Sequence, residues 1–397
     1  MHKIKKEQLT NLIVLVATVL IQIIIWKIRG NRGYVGVDSK RYIGLAHTLL
    51  EDGWICFFRS AETPFYFLYP MFLAVIFSIF GENYLIVTIF QVGIYAIACL
   101  GIYRILEKIK KSSILNMLLT ISFGALFEVA HWNFILYSDS VALLWIVLDT
   151  YLYVCWIQEN NNRKKNVVYI FLLAALGFTL LSRTNAFIFV GAMLLIIMTK
   201  LSKKAKIVIA ALICVVIACV IVIGYLGYID HYLQLTHRYV FDVIFERYKT
   251  GLYITNNDTV FWKIPEKHLG TAWTIIDVLL ILGQRLCLYW SVWQDGFSKA
   301  HILFNFVQLV PLYLLALYSI VIILKNKRKE YYFILFIIFM YDLGQSIMWM
   351  DVEFRYRIPA FIFVVLICQP GLINLKEKIL QRRGKHNEAN YPDPVLQ

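Results

Sequence analysis

The chain has 397 residues, 60% of them hydrophobic and 16% charged, and a mean hydropathy of +0.67. Soluble domains are roughly 45–50% apolar and about 25% charged, so these figures exclude a soluble enzyme and indicate a polytopic membrane protein. The net charge of +14 does not signal nucleic acid, because the lysines and arginines gather in short clusters between apolar runs, the pattern of positive-inside topology.

The N-terminal stretch "MHKIKKEQLTNLIVLVATVLIQIIIWKIRG" has a basic lead, an apolar stretch long enough to span and no small-residue cleavage pattern. It predicts an anchor helix over 9–26. Further basic clusters follow at 107–111, 161–166, 200–206, 325–330 and 376–385. If all of them face the cytoplasm, each segment between two clusters crosses an even number of times. The crossings are then 9–26, 84–106, 112–131, 138–157, 167–182, 184–199, 207–229, 301–324, 331–350 and 358–375. Two apolar stretches, 65–81 and 271–294, have no crossing to make and are expected to lie flat or re-entrant at the outer face.

The predicted fold is therefore an all-α polytopic bundle of about ten transmembrane helices in one domain, 1–375, with both termini cytoplasmic. Its outer loops are 27–83 and 230–300. The tail 376–397 is basic and polar, and its final stretch "KHNEANYPDPVLQ" reads as disordered. Closed β-barrels are excluded, since their strands alternate in polarity. Of seven cysteines, six lie in apolar runs without paired spacing, which indicates neither a disulfide framework nor a zinc site.

Polar complexity falls on the outer face of this map. The stretch "DVEFRYRIPAF" (351–361) places two acids and two arginines before an apolar run, and Arg59, Arg183, Arg355 and Arg357 all reach the outer rim. Arginines at the hydrocarbon boundary usually pair or bind an anion, and the guanidinium fork suits phosphate. The plainer reading is that Asp351, Glu353 or lipid headgroups neutralise them. Residues 355 and 357 point to different sides, so one is expected to face a cleft and the other these acids or headgroups.

Asp38 opens the segment "VDSKRYIGLAHTLLEDGW", whose apolar residues follow helical spacing. Asp139 in "YSDSVALLW" stands at another outer helix start. The default for each is an N-cap. Together with the arginines, the pair also suits a base acting beside a bound phosphate. His131 reads as a helix-end histidine with a backbone partner.

These motifs in this order, with "YPMFLAVIFSIFGEN", "LGFTLLSRTNAF" and "FRYRIPAFIFVV", resemble the GT-C glycosyltransferases over residues 9–375. The branch they resemble is that of the protein O-mannosyltransferases and lipid A aminoarabinose transferases. The resemblance implies a GT-C-like bundle in the plasma membrane, a polyprenyl-phosphate sugar donor and inverting transfer at the outer face. It also implies a catalytic base at Asp38 and a second acidic position at Asp139. Relatives often carry a basic residue and paired prolines before the flat segment, where this chain reads "RSAETPFYFLYP". The donor-phosphate role therefore falls to Arg183, Arg355 or Arg357, with Arg59 as the stand-in at the usual position.

A lipid-linked donor needs no nucleotide pocket, in keeping with the lack of a Gly-rich phosphate loop. No cofactor is demanded, although a divalent metal between Asp38 and Asp139 is compatible with the sequence. The acceptor, a glycan, lipid or protein, would be selected by the outer loops. A transporter, flippase or polymerase of lipid-linked saccharides is the competing class, with Asp149 and Asp342 as its main intramembrane acids.

Overall fold

The computed structural model describes residues 2–29, 35–60, 67–183, 185–201, 275–293, 297–348 and 355–390. The expected crossing 207–229, most of the loop 230–300 and the acids Asp351 and Glu353 lie outside the described residues.

The described chain is all-helical, without strands. In order it forms α1 (His2–Ile28), α2 (Val37–Glu51), α3 (Gly53–Ser60), α4 (Leu68–Phe80), α5 (Tyr84–Ile109), α6 (Ser113–Ala125) and α7 (Phe127–Ala130). There follow α8 (Asp139–Gln158), α9 (Asn162–Leu180), α10 (Ala186–Lys200), α11 (Ile275–Tyr289), α12 (Lys299–Lys325), α13 (Tyr332–Met348) and α14 (Ile358–Asn390). Short 3₁₀ turns at His131–Phe134 and Arg355–Arg357 precede α8 and α14.

Five of these segments are long and apolar enough to cross a membrane: Glu7–Ile28, Tyr84–Ile109, Asp139–Gln158, Lys299–Lys325 and Arg355–Arg382. The segment expected as a straight crossing over 112–131 is a sixth only as a bent pair, α6 and α7 meeting at 56°. The expected crossings 184–199 and 331–350 are helices of 15 and 17 residues. The two expected flat stretches also form short helices. α4 has 13 residues, a length of about 20 Å against about 30 Å of hydrocarbon, and α11 has 15.

At the centre stands α14. Every residue from Ile358 to Cys368 is buried, because the run "IPAFIFVVLIC" is apolar on all sides and packs against α12, α13 and α6. By contrast α12 keeps Leu303, Val307, Leu314, Leu317, Val321 and Leu324 each more than half exposed along one stripe. Such a stripe is costly in water and natural in lipid. The central helix runs on past residue 375 to Asn390, so the first part of the expected disordered tail is helical instead. No proline or glycine interrupts "LINLKEKILQRR", which carries the helix toward that stretch, and its leucines, lysines and single glutamate favour helix.

The bend at Leu126 has a local cause. Its backbone (φ −60°, ψ 110°) leaves the helical region, which removes helix bonds at Ala125 and Phe127. Gln308 of α12 replaces them: its Nε2 donates to the Ala125 carbonyl at 2.8 Å and its Oε1 accepts from the Phe127 amide at 2.8 Å. Away from water such backbone groups must find partners inside the protein.

Candidate functional site

Two helix starts carry the two carboxylates. α2 begins after Gly36, whose amide donates to the Ser39 hydroxyl at 2.8 Å, so its first turn is capped without Asp38. Asp139 is the first residue of α8 and follows Ser138 at the cap position. Neither acid is the N-cap expected from sequence. Asp38 stands two residues beyond the cap position and Asp139 one residue beyond it, and there each carboxylate meets an arginine.

The two starts touch through a glycine. A Cβ on Gly36 would stand 2.2 Å from the hydroxyl oxygen of Tyr137, which lies two residues before Asp139. Only the bare backbone of Gly36 allows that approach.

Arg355 donates through Nη2 to Asp38 Oδ2. Its guanidinium carbon lies 4.5 Å from the centre of the Tyr137 ring and 5.4 Å from that of Tyr356. The Arg183 guanidinium lies 4.9 Å from the same Tyr356 ring and pairs through Nη1 with Asp139 Oδ1. Four residues predicted from sequence, Asp38, Asp139, Arg183 and Arg355, thus form one cluster, with Tyr356 between the two cations. Asn185 ties it further, its Nδ2 donating to the Tyr356 carbonyl at 3.4 Å.

Exposure differs across the cluster. Asp139 and Arg183 are both 4% exposed, whereas the Asp38 side chain is 35% exposed beside an Arg355 side chain at 9%. The Asp38 end is open to a reacting group, and the Asp139 end is closed. A charge at this depth is held by an opposite charge in contact with it, and cation–π packing adds to each guanidinium.

Arg357 turns the other way. Its Nη2 lies 3.4 Å from Glu128 Oε1, with both side chains 1% exposed, and its Nη1 donates to the carbonyls of Tyr289 (3.3 Å) and Ser291. Glu128 Oε2 also accepts from His301 Nε2 and from Asn305 Nδ2, each at 2.9 Å. Phe297 stacks on the His301 ring with centroids 3.9 Å apart. The expected divergence of 355 and 357 is therefore present, but the acid that meets Arg357 is Glu128. Arg357 is enclosed by protein, which removes it from the candidates for a substrate phosphate.

Arg59 is exposed at the end of α3 and belongs to neither cluster. His131 has the backbone partner expected of it, the Phe127 carbonyl 2.7 Å from Nδ1, and its own carbonyl accepts from Arg29 Nη1 at 2.6 Å. The divalent metal considered between Asp38 and Asp139 does not fit. Each carboxylate faces a guanidinium, a poor donor set for a dication, and among the described residues no group of three or more His, Cys, Asp or Glu could hold one.

Sequence reasoning missed Glu128, Tyr137 and Tyr356. The signal for Glu128 was its place as the one acid in the run "GALFEVAHWNF". A straight helix over 112–131 hid its direction. No family model matches the chain, and neither a curated protein nor a solved structure is similar to it.

Proposed function

We propose that this protein is a membrane glycosyltransferase, built as a bundle of about ten transmembrane helices, that moves a sugar from a polyprenyl-phosphate donor to an acceptor at the outer face. The observation that carries the reading is the union of two carboxylate–arginine pairs around Tyr356, from four widely separated parts of the chain. Arg355 supplies a guanidinium fork for a phosphate, Asp38 supplies a partly exposed carboxylate beside it, and the closed Arg183–Asp139 pair holds Tyr356 between the two cations.

Chemically, Asp38 takes the proton of an acceptor hydroxyl while that oxygen attacks the anomeric carbon. The bond from that carbon to the phosphate oxygen breaks, and the electron pair leaves on the polyprenyl phosphate, where Arg355 stabilises it. In the unliganded site Arg355 is held by Asp38. A donor phosphate competes for the same fork, so its arrival frees the Asp38 carboxylate to act as base. Arg183, locked to the buried Asp139, fixes Tyr356 beneath it.

Asp149 and Asp342, the acids that a transporter reading would use, each accept from a neutral donor: Thr179 Oγ1 at 2.5 Å and Trp290 Nε1 at 2.9 Å. This favours a structural role for both. The proposal is tested by transfer of radiolabelled sugar from a polyprenyl-phosphate donor to membrane acceptors by the purified protein. Label that stays on the donor, whatever acceptor fraction is supplied, removes the reading.

A further inference from the structure

A cavity of about 770 Å³ opens between α8, α9, α10 and α13, at the end of the bundle away from the carboxylates. Its place follows from helix direction. Asp139 begins α8, whereas Tyr153 and Trp156, which line the cavity, lie in its last turns, about 20–25 Å further along the axis. The wall is largely apolar and aromatic, with Ile196 on α10 and Phe333 and Phe336 on α13 facing the α8 rings. Tyr153 and Phe333 pack with centroids 5.0 Å apart, which gives the groove a firm floor.

Its rim is cationic. Lys165 from the first turn of α9, Lys200 from the end of α10 and Lys329 from the turn before α13 all line it, against one acid, Glu330. The Lys165 ammonium lies 5.8 Å from the centre of the Trp156 ring, within cation–π range, so this lysine is held at the mouth. Three cations from three separate elements, above an aromatic slot, match one chemistry: an anionic headgroup whose acyl chain lies along the slot. The same end of the bundle carries the basic residues of 161–166 and 325–330 together with Lys200, a concentration of positive charge that suits an anionic leaflet surface. A soluble anion would leave the apolar wall unused, and a neutral lipid would leave the lysines unanswered.

We infer that this groove binds an anionic phospholipid, with Lys165, Lys200 and Lys329 at the headgroup phosphate and Tyr153, Trp156, Phe333 and Phe336 along an acyl chain. This site is independent of the outer carboxylate cluster and does not rest on the glycosyltransferase reading.

The test is native mass spectrometry of the full-length protein in mild detergent, titrated with phosphatidylglycerol, with phosphatidylcholine of the same chains, and with a polyprenyl phosphate. Phosphatidylglycerol should be retained at a concentration about tenfold or more below that needed for phosphatidylcholine. The triple substitution Lys165→Gln, Lys200→Gln, Lys329→Gln should abolish that preference, and the triple arginine variant should keep it. Melting of both variants in lipid-free detergent shows that they fold. Equal retention of the two phospholipids by the unmodified protein overturns the inference, as does an unchanged preference in the glutamine variant. Stronger retention of polyprenyl phosphate through the same lysines also overturns it, since the occupant is then not a phospholipid. If the glutamine variant does not fold, Phe336→Trp, which narrows the slot and keeps every charge, takes its place: unchanged phosphatidylglycerol retention overturns the inference, and weakened retention supports it.

Discussion

The guanidinium of Arg355 is held by the carboxylate of Asp38, 317 positions earlier in the chain, while Arg357, one residue beyond Tyr356, is held by Glu128. Neighbours on one 3₁₀ turn are thus committed to different tasks. Arg355 faces a half-open carboxylate that a substrate can reach, and Arg357 faces a closed one.

Asp38→Asn should leave the fold intact, since the side chain is partly exposed, and should lower sugar transfer by about 10²- to 10⁴-fold, the usual worth of a positioned base. Initial rates at saturating donor measure this. Near-full activity would reduce Asp38 to an anchor for Arg355.

The two arginines should separate cleanly. Arg355→Ala removes a charge-assisted contact worth roughly 1.5–3 kcal/mol and should weaken donor binding by about ten- to a hundredfold with little change in acceptor dependence. Lysine should rescue it only in part, because it keeps the charge but loses the fork. Arg357→Ala instead strands the buried Glu128 and should cost about 3–5 kcal/mol of stability, seen as a lower melting temperature in detergent. An Arg357→Ala protein that melts normally but fails to bind donor would return Arg357 to the phosphate site.

Asp139 and Arg183 should behave as a unit. Asp139→Asn leaves a buried cation without its counter-charge, at about 3–5 kcal/mol. The double variant Asp139→Asn, Arg183→Gln should recover much of the lost melting temperature while transfer stays low. Additive losses in the double variant would mean that the two side chains act separately.

Gln308→Leu should destabilise the bend at Leu126, because it leaves the Ala125 carbonyl and the Phe127 amide unpaired at about 1–3 kcal/mol each. Since α7 carries Glu128, the same change should loosen Arg357. Hydrogen exchange at Phe127 and Val129 reads the first effect directly, and unchanged protection there would show that the break needs no bridge.

Topology is open to a native probe, because Cys56 on α3 is exposed. In a chain with all other cysteines replaced by serine, Cys56 should react with an impermeant maleimide in intact cells. Lys108→Cys, at the far end of α5 and in a Cys56→Ser background, should react only after permeabilisation. Labelling of both in intact cells would contradict the outer placement of the first loop.

Much of the carboxylate cluster was legible in the sequence, for a physical reason. Charges at the edge of an apolar run are expensive, so Asp38, Asp139, Arg183 and Arg355 stood out one by one, and the single side expected for them from the basic clusters suggested that they meet. Their pairing was not legible, since it depends on which way the Arg355–Arg357 turn faces. The bend at Leu126 was hidden because no proline marks it, and the residue that permits it, Gln308, lies 182 positions later. The default of an N-cap failed by two residues for Asp38 and by one for Asp139, shifts that local sequence does not resolve.

The helix that fills the middle of the bundle follows every other described helix in the chain, so it is made after them. Until the Arg355–Arg357 turn and α14 are in place, Asp38 and Glu128 lack Arg355 and Arg357, and Asn116 lacks the Gln369 amide that reaches it at 2.7 Å. Before then Glu128 has His301 and Asn305 to answer it, and the preceding segments are held by packing of α5 on α8 and of α1 on α5. A chain stalled before residue 355 would present acids within or beside the lipid, a state that membrane quality control can recognise, so in cells production of the intact protein should depend on the completion of this one segment.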